Sequence, residues 1–185
     1  MTIRTLVLGI GNSLLSDEGA GVHLLNYLLE HFPDLPGVTY LDGGTLGFTL
    51  AAWIENADNL IVLDAAELEA DPGNIRIFRG AAMDRFIGRP RRSVHEVGLG
   101  DVLGIAHLTG ALPANRALIA IQPQTLAWGR GLSRPVERVI PAAAQQAVEV
   151  FMQWQSGIPD SKPWEFIKTE GSRQGHEQLI AQRAG

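Results

Sequence analysis

Short apolar runs closed by turn residues alternate along this chain with longer stretches whose apolar positions recur at helical spacing. Ile3 to Ile10 is one such run, ending at Gly9-Ile10-Gly11-Asn12, and predicts a buried first strand. Gly21, Leu24, Leu25, Leu28, Leu29 and Phe32 then line one face of a helix that Pro33 and Pro36 terminate. Ser16 is the expected N-cap, which leaves Asp17 and Glu18 in the first turn, where the helix dipole favours anions. Val38 to Leu41 predicts a second strand, closed by Asp42-Gly43-Gly44-Thr45, and Leu46 to Ile54 a helix packed by Leu46, Leu50, Trp53 and Ile54. Asn59 to Asp64 is the clearest strand, four large apolar residues with an acid at the end. The turn Asp71-Pro72-Gly73-Asn74 leads to a fourth strand over Ile75 to Phe78. A helix carrying Leu99, Val102, Leu103, Ala106 and His107 and a fifth strand over Ala117 to Ile121 follow. Pro135 to Trp154 is the longest helix, with Val136, Val139, Ile140, Ala143, Ala147, Val150, Phe151 and Trp154 as its buried stripe. Pro141 lies inside that pattern and is expected to kink the helix or mark its true start.

Strands alternating with helices at these spacings predict an α/β fold with a mostly parallel sheet. It fills one domain over residues 1–156. Gly157, Pro159 and Pro163 break the periodicity, so residues 157–185 read as a C-terminal tail with Trp164 and Phe166 as docking points. In such sheets, function collects in the crevice beyond the carboxyl ends of the strands. Glu18 follows strand one, Asp42 strand two, Asp64 ends strand three and His95 follows strand four after a loop, so all four are expected at one edge.

Composition narrows the classes. At 185 residues, 45% hydrophobic and 19% charged, the chain is long enough for a core and too apolar for global disorder. A net charge of -5 disfavours a nucleic-acid binder. With no Cys, thiolate metal sites and thiol nucleophiles are excluded. No stretch approaches the ~18 apolar residues of a membrane span. The first apolar run is interrupted by Arg4 and ends in a glycine turn, unlike a signal peptide, so a soluble cytoplasmic protein is expected.

The glycine turn after strand one invites a dinucleotide-binding reading, but Leu14 occupies the third glycine position, and Asp17 and Glu18 would repel a pyrophosphate. A tight strand-to-helix turn explains the glycines equally well. Each acid has a plain structural reading too: Asp17 and Glu18 serve the helix dipole, Asp64 caps the element after its strand, and His95 is a surface histidine. Taken jointly, Glu18, Asp64 and His95 form an O/O/N set suited to a divalent cation such as nickel or zinc, with positions left for water or substrate. Asp42-Gly43-Gly44 reads either as a strand-ending turn or as a place where an extended peptide approaches the backbone. Arg89, Arg91 and Arg92 form a basic loop, solvated or facing an acidic partner.

Leu8-Gly9-Ile10-Gly11-Asn12-Ser13-Leu14-Leu15-Ser16-Asp17-Glu18-Gly19, Asp42-Gly43-Gly44-Thr45, Leu63-Asp64-Ala65 and His95-Glu96-Val97-Gly98-Leu99-Gly100-Asp101-Val102-Leu103 together resemble the nickel–iron hydrogenase maturation endopeptidases. The resemblance runs in order from Thr5 to about Trp154, includes Ile121-Gln122-Pro123 and Leu132-Ser133, and does not extend past Gly157. It implies a three-layer fold, a twisted, mainly parallel five-stranded sheet with helices on both faces. It implies a cytoplasmic protease that removes the C-terminal extension of a nickel–iron hydrogenase large-subunit precursor after nickel insertion. Glu18, Asp64 and His95 map onto the family's metal-binding positions and are the expected catalytic and metal residues, and Asp42, Gly43 and Gly44 are expected to position the substrate. The nickel would arrive with the substrate, and another divalent metal could fill the site in isolated protein. Neither nucleic acid nor membrane is an expected partner. With no Cys and no evident Ser-His-Asp order, a covalent acyl-enzyme is disfavoured, and Asp42 or Asp17 is the candidate general base. A nucleotide- or cofactor-binding α/β enzyme and a non-catalytic large-subunit chaperone are the alternatives.

Overall fold

The computed structural model describes residues 3–44, 49–88, 99–158 and 163–167. Its strands are β1 (Thr5–Ile10), β2 (Val38–Gly44), β3 (Asn59–Ala65), β4 (Ile75–Arg79), β5 (Asn115–Ile121) and β6 (Trp164–Ile167). They form one sheet in the order β2-β1-β3-β5-β4-β6. The first four strands in that order are mutually parallel, and β4 and β6 run antiparallel to their neighbours. The helices are α1 (Ala20–His31), α2 (Leu50–Glu55), α3 (Ala81–Ile87), α4 (Leu99–Leu108) and α5 (Arg134–Gln155), with a 3-10 turn over Ser16–Gly19 before α1.

The near-continuous apolar runs of β1, β3 and β5 follow from burial on both faces, as parallel sheets require. Alternate residues feed two separate cores. Val7, Ile61, Leu63, Ile119 and Ile121 pack under α1 and α5. Leu6, Leu8, Ile10, Leu60, Val62, Leu118 and Ala120 pack under α2, α3 and α4. The expected stripe of α5 is buried throughout, and the helix continues through Pro141. At the amino ends of the strands, buried Asn59 donates to Thr5 Oγ1 at 3.2 Å and accepts from the amide of Asn115 at 2.9 Å, which fixes the register of three strands on the edge away from the site.

Several expectations need correction. The sheet has six strands and not five, because Trp164–Ile167 of the tail pairs with β4. Arg76 explains why this strand docks: its guanidinium lies 3.7 Å from the Phe166 ring centroid, and the Trp164 ring meets Phe166 edge-on. Arg79 adds a 2.7 Å ion pair with Glu165. Ser16 is no N-cap; it opens the 3-10 turn at φ 47, and no side chain caps α1. Trp53 and Leu29 point outward, because the short α2 and the outer side of α1 cover less of the sheet than their apolar patterns imply. Helix α3 is an element the sequence pattern did not mark.

Strand direction matters most for function. β4 is antiparallel, so its carboxyl end at Arg79 pairs with Ala117 at the amino edge of the sheet. β4 therefore does not itself carry the chain to the functional edge. Helix α4 runs in the same sense as β4. Thr109, just past its carboxyl end, donates to Glu55 at 3.2 Å, at the end of α2 that leads into β3. The amino end of α4 is thus directed toward the carboxyl edge. His95 itself, like the Arg89, Arg91 and Arg92 cluster, lies outside the described residues.

Candidate functional site

The chain moves from β1 to β2 on one side and to β3 on the other, so the carboxyl ends of β1 and β3 flank the point where the strand order reverses. The turn after β1 is compressed against that point. Gly11, at φ +140, leaves no room for a Cβ, which would collide with the carbonyl oxygen of Glu18. Gly21, in the first turn of α1, sits against the carbonyl oxygens of Leu63 and Ile10, and a Cβ would overlap both. The glycines serve close approach of backbone to backbone, and this contact delivers Glu18 to the end of β3. The amides of Leu15, Ser16, Asp17 and Glu18 donate to the carbonyls of Asn12, Gly129, Thr125 and Leu15, so a phosphate would find them already committed.

Glu18 is 5% exposed, in the 3-10 turn. Asp64, next to last in β3, is half-buried. Removal from water pushes its carboxyl up to about 8, and the negative charge of Glu18 adds to the rise against a hydrogen bond from the Ala65 amide. The ionised form of Asp64 is thus disfavoured beside Glu18, which is the electrostatic condition a cation relieves. The donor set is hard oxygen and fits a divalent metal. Among the described residues no group of three or more His, Asp or Glu side chains surrounds a common point, and the third expected ligand, His95, lies outside them.

Asp42 does not join this pair. In the sheet register Gly9 lies between Asp42 and Leu63, so Asp42 stands two strands from the end of β3, roughly 10 Å at the usual strand spacing. Its Oδ1 accepts from the Gly44 amide at 2.8 Å, and the Gly44 carbonyl accepts from the Gly11 amide at 2.9 Å. A register shift at Gly9/Ile10 accompanies this link. Asp42-Gly43-Gly44 is thus tied to the glycine turn and forms a shoulder of the sheet edge on which Asp42 is exposed and the two glycines are half-buried.

Sequence reasoning missed the role of Asp17. Its fully buried carboxylate accepts from the amides of Gln124 (2.8 Å), Thr125 (3.0 Å) and Ser133 (2.6 Å) and from the Ser133 hydroxyl (2.8 Å). Four donors occupy its oxygens, which makes it a clamp on the segment after β5 and a poor candidate for a general base. No local signal marks this, because the partners lie more than 100 positions away. Gln122 has a similar part on the other flank, accepting from the Leu68 amide at 2.7 Å and so holding the loop that leaves Asp64.

Comparison with known proteins bears on this geometry. Residues 22–150 match the model of a family described as hydrogenase maturation protease. The hydrogenase expression/formation protein HupD of Rhizobium leguminosarum bv. viciae is 40% identical over 152 residues, covering 82% of this chain and 75% of that protein. The hydrogenase 2 maturation protease of Escherichia coli is 36% identical over 159 residues, covering 84% of this chain and 94% of that protein. Among solved structures, the hydrogenase maturating endopeptidase HybD from E. coli superposes with a TM-score of 0.76 at 35% identity, covering 89% of this chain and 97% of that one.

Proposed function

The chain belongs to the hydrogenase maturation protease family, and on that premise we propose that it removes the C-terminal extension of a nickel–iron hydrogenase large-subunit precursor once nickel is in place. The observation that carries this reading is the pairing of buried Glu18 with half-buried Asp64 at the strand-order reversal. Nickel belongs to the substrate, held by the precursor, and Glu18, Asp64 and His95 are the residues that would receive it. Its charge would polarise the scissile carbonyl or acidify a bound water.

With a carboxyl near 8, Asp64 is largely neutral at pH 7 before the precursor docks and gives up its proton when a cation arrives. A precursor without nickel brings no cation to draw that proton off, which gives the pair a physical basis for selecting the loaded form. Asp42, exposed on the shoulder, is the remaining candidate for a base, and the edge strand β2 at Asp42-Gly43, braced by the bonded Gly44, is the surface along which an extended substrate strand would lie.

The test is incubation with purified large-subunit precursor, with and without nickel, read by intact mass. Wild type should release one C-terminal peptide from the nickel-loaded form alone. Folded Glu18→Gln, Asp64→Asn and His95→Ala variants should each lose processing by ~100-fold or more. Wild-type rates in all three would sink the reading. Binding without any cleavage by wild type would favour a non-catalytic chaperone.

A further inference from the structure

Leu14, Leu126 and Trp128 expose apolar surface on the rim of the same sheet edge that holds Glu18 and Asp64. Trp128 is 83% exposed, more than any other tryptophan of the chain. Two backbone bonds bring Leu14 beside Trp128. The Gly129 amide donates to the Leu14 carbonyl at 2.9 Å, and the Ser16 amide donates to the Gly129 carbonyl at 2.8 Å. The segment after β5 therefore lies alongside the turn after β1, with Leu14 next to the residue that follows Trp128.

This segment contains no regular helix or strand between β5 and α5, yet it is fixed at both ends. Asp17 holds Gln124 and Thr125 on one side of the tryptophan and Ser133 on the other, through the four bonds described above. A solvent-facing aromatic on a backbone clamped by a buried carboxylate is an unusual use of both. It suits an interface anchor, since a side chain presented on a rigid backbone loses little freedom on association.

We propose that this rim is the docking surface for the folded body of the hydrogenase large-subunit precursor, with Trp128 as its anchor and Asp17 as the positioning residue that keeps the anchor in register with Glu18. The proposal rests on the processing reading above. The occupant follows from continuity. Asp17 and Glu18 are consecutive, so a body that delivers its scissile segment to Glu18 must cover the adjoining rim. A second copy of this chain seated there would obstruct the site it borders.

The experiment measures KM and kcat for nickel-loaded precursor by intact mass. Trp128→Ala should raise KM roughly 30-fold, the scale of a hot-spot tryptophan, with kcat at saturation within about twofold of wild type. Leu126→Ser should act in the same direction. Leu108→Ser, equally exposed but past the opposite edge, should change neither constant. Asp17→Asn should raise KM in the wild-type background and add little to KM once Trp128 is Ala, a coupling that a general loss of stability would not produce. An unchanged KM in Trp128→Ala overturns the docking proposal while leaving the processing reading intact, as does a loss confined to kcat. A concentration-dependent dimer abolished by Trp128→Ala, with precursor KM unchanged, overturns it in favour of self-association. Failure of wild type to process nickel-loaded precursor overturns both.

Discussion

Replacing Asp64 with Asn should stabilise the metal-free protein while removing its activity. The unfolded chain carries Asp64 at its ordinary 3.8 and the folded chain at about 8. Between those values the folded state binds the extra proton, so stability falls as pH rises, by about 1.4 kcal/mol per pH unit for this group. Over the whole interval the effect is about 6 kcal/mol, and by pH 7 about 4 kcal/mol of it has been lost. Partial solvent access at Asp64 makes that figure a ceiling. Asn has the same shape and no charge to lose, so the penalty disappears in the variant. Urea unfolding followed by tryptophan fluorescence, in chelator, from pH 4.5 to 8.5 measures it. Asp64→Asn should exceed wild type by only about 1 kcal/mol at pH 4.5 and increasingly toward pH 8. The reasoning is refuted if the two curves stay parallel across that range, or if the variant is the less stable one at pH 7.5.

Further outcomes follow from the same geometry. Gly21→Ala should destabilise the fold by about 3 kcal/mol or more, since its Cβ overlaps two carbonyl oxygens of the sheet edge, and a lowered thermal midpoint would register it. Asp17→Ala leaves three amides and a hydroxyl without their acceptor and should cost about 3 kcal/mol, with faster hydrogen exchange at Gln124, Thr125 and Ser133. Adding nickel or zinc to the isolated protein near pH 7 should release close to one proton, seen by calorimetry in buffers of different ionisation enthalpy, and Asp64→Asn should abolish that release.

Much of this protein was legible in its sequence because the relevant signals are local. Two-faced apolar runs marked β1, β3 and β5, the 3.6-residue stripe marked α5, and the acids Glu18 and Asp64 could be assigned to strand ends before any coordinates. The glycine turn was recognisable, although its purpose, seating Gly11 against the Glu18 carbonyl and Gly21 against that of Leu63, needed the packed fold. Strand direction was not legible. The apolar residues of β4 look alike whichever way the strand runs, and only its pairing with β5 sets it antiparallel. The same holds for β6, which has too few residues for a period of its own and exists through Arg76 and Arg79 on its neighbour. Asp17 shows the limit most clearly. A carboxylate at the start of a helix has a sufficient local explanation in the helix dipole. Its use as a clamp depends on donors brought to it by chain closure over more than 100 residues, a relation that periodicity does not encode and tertiary packing alone decides.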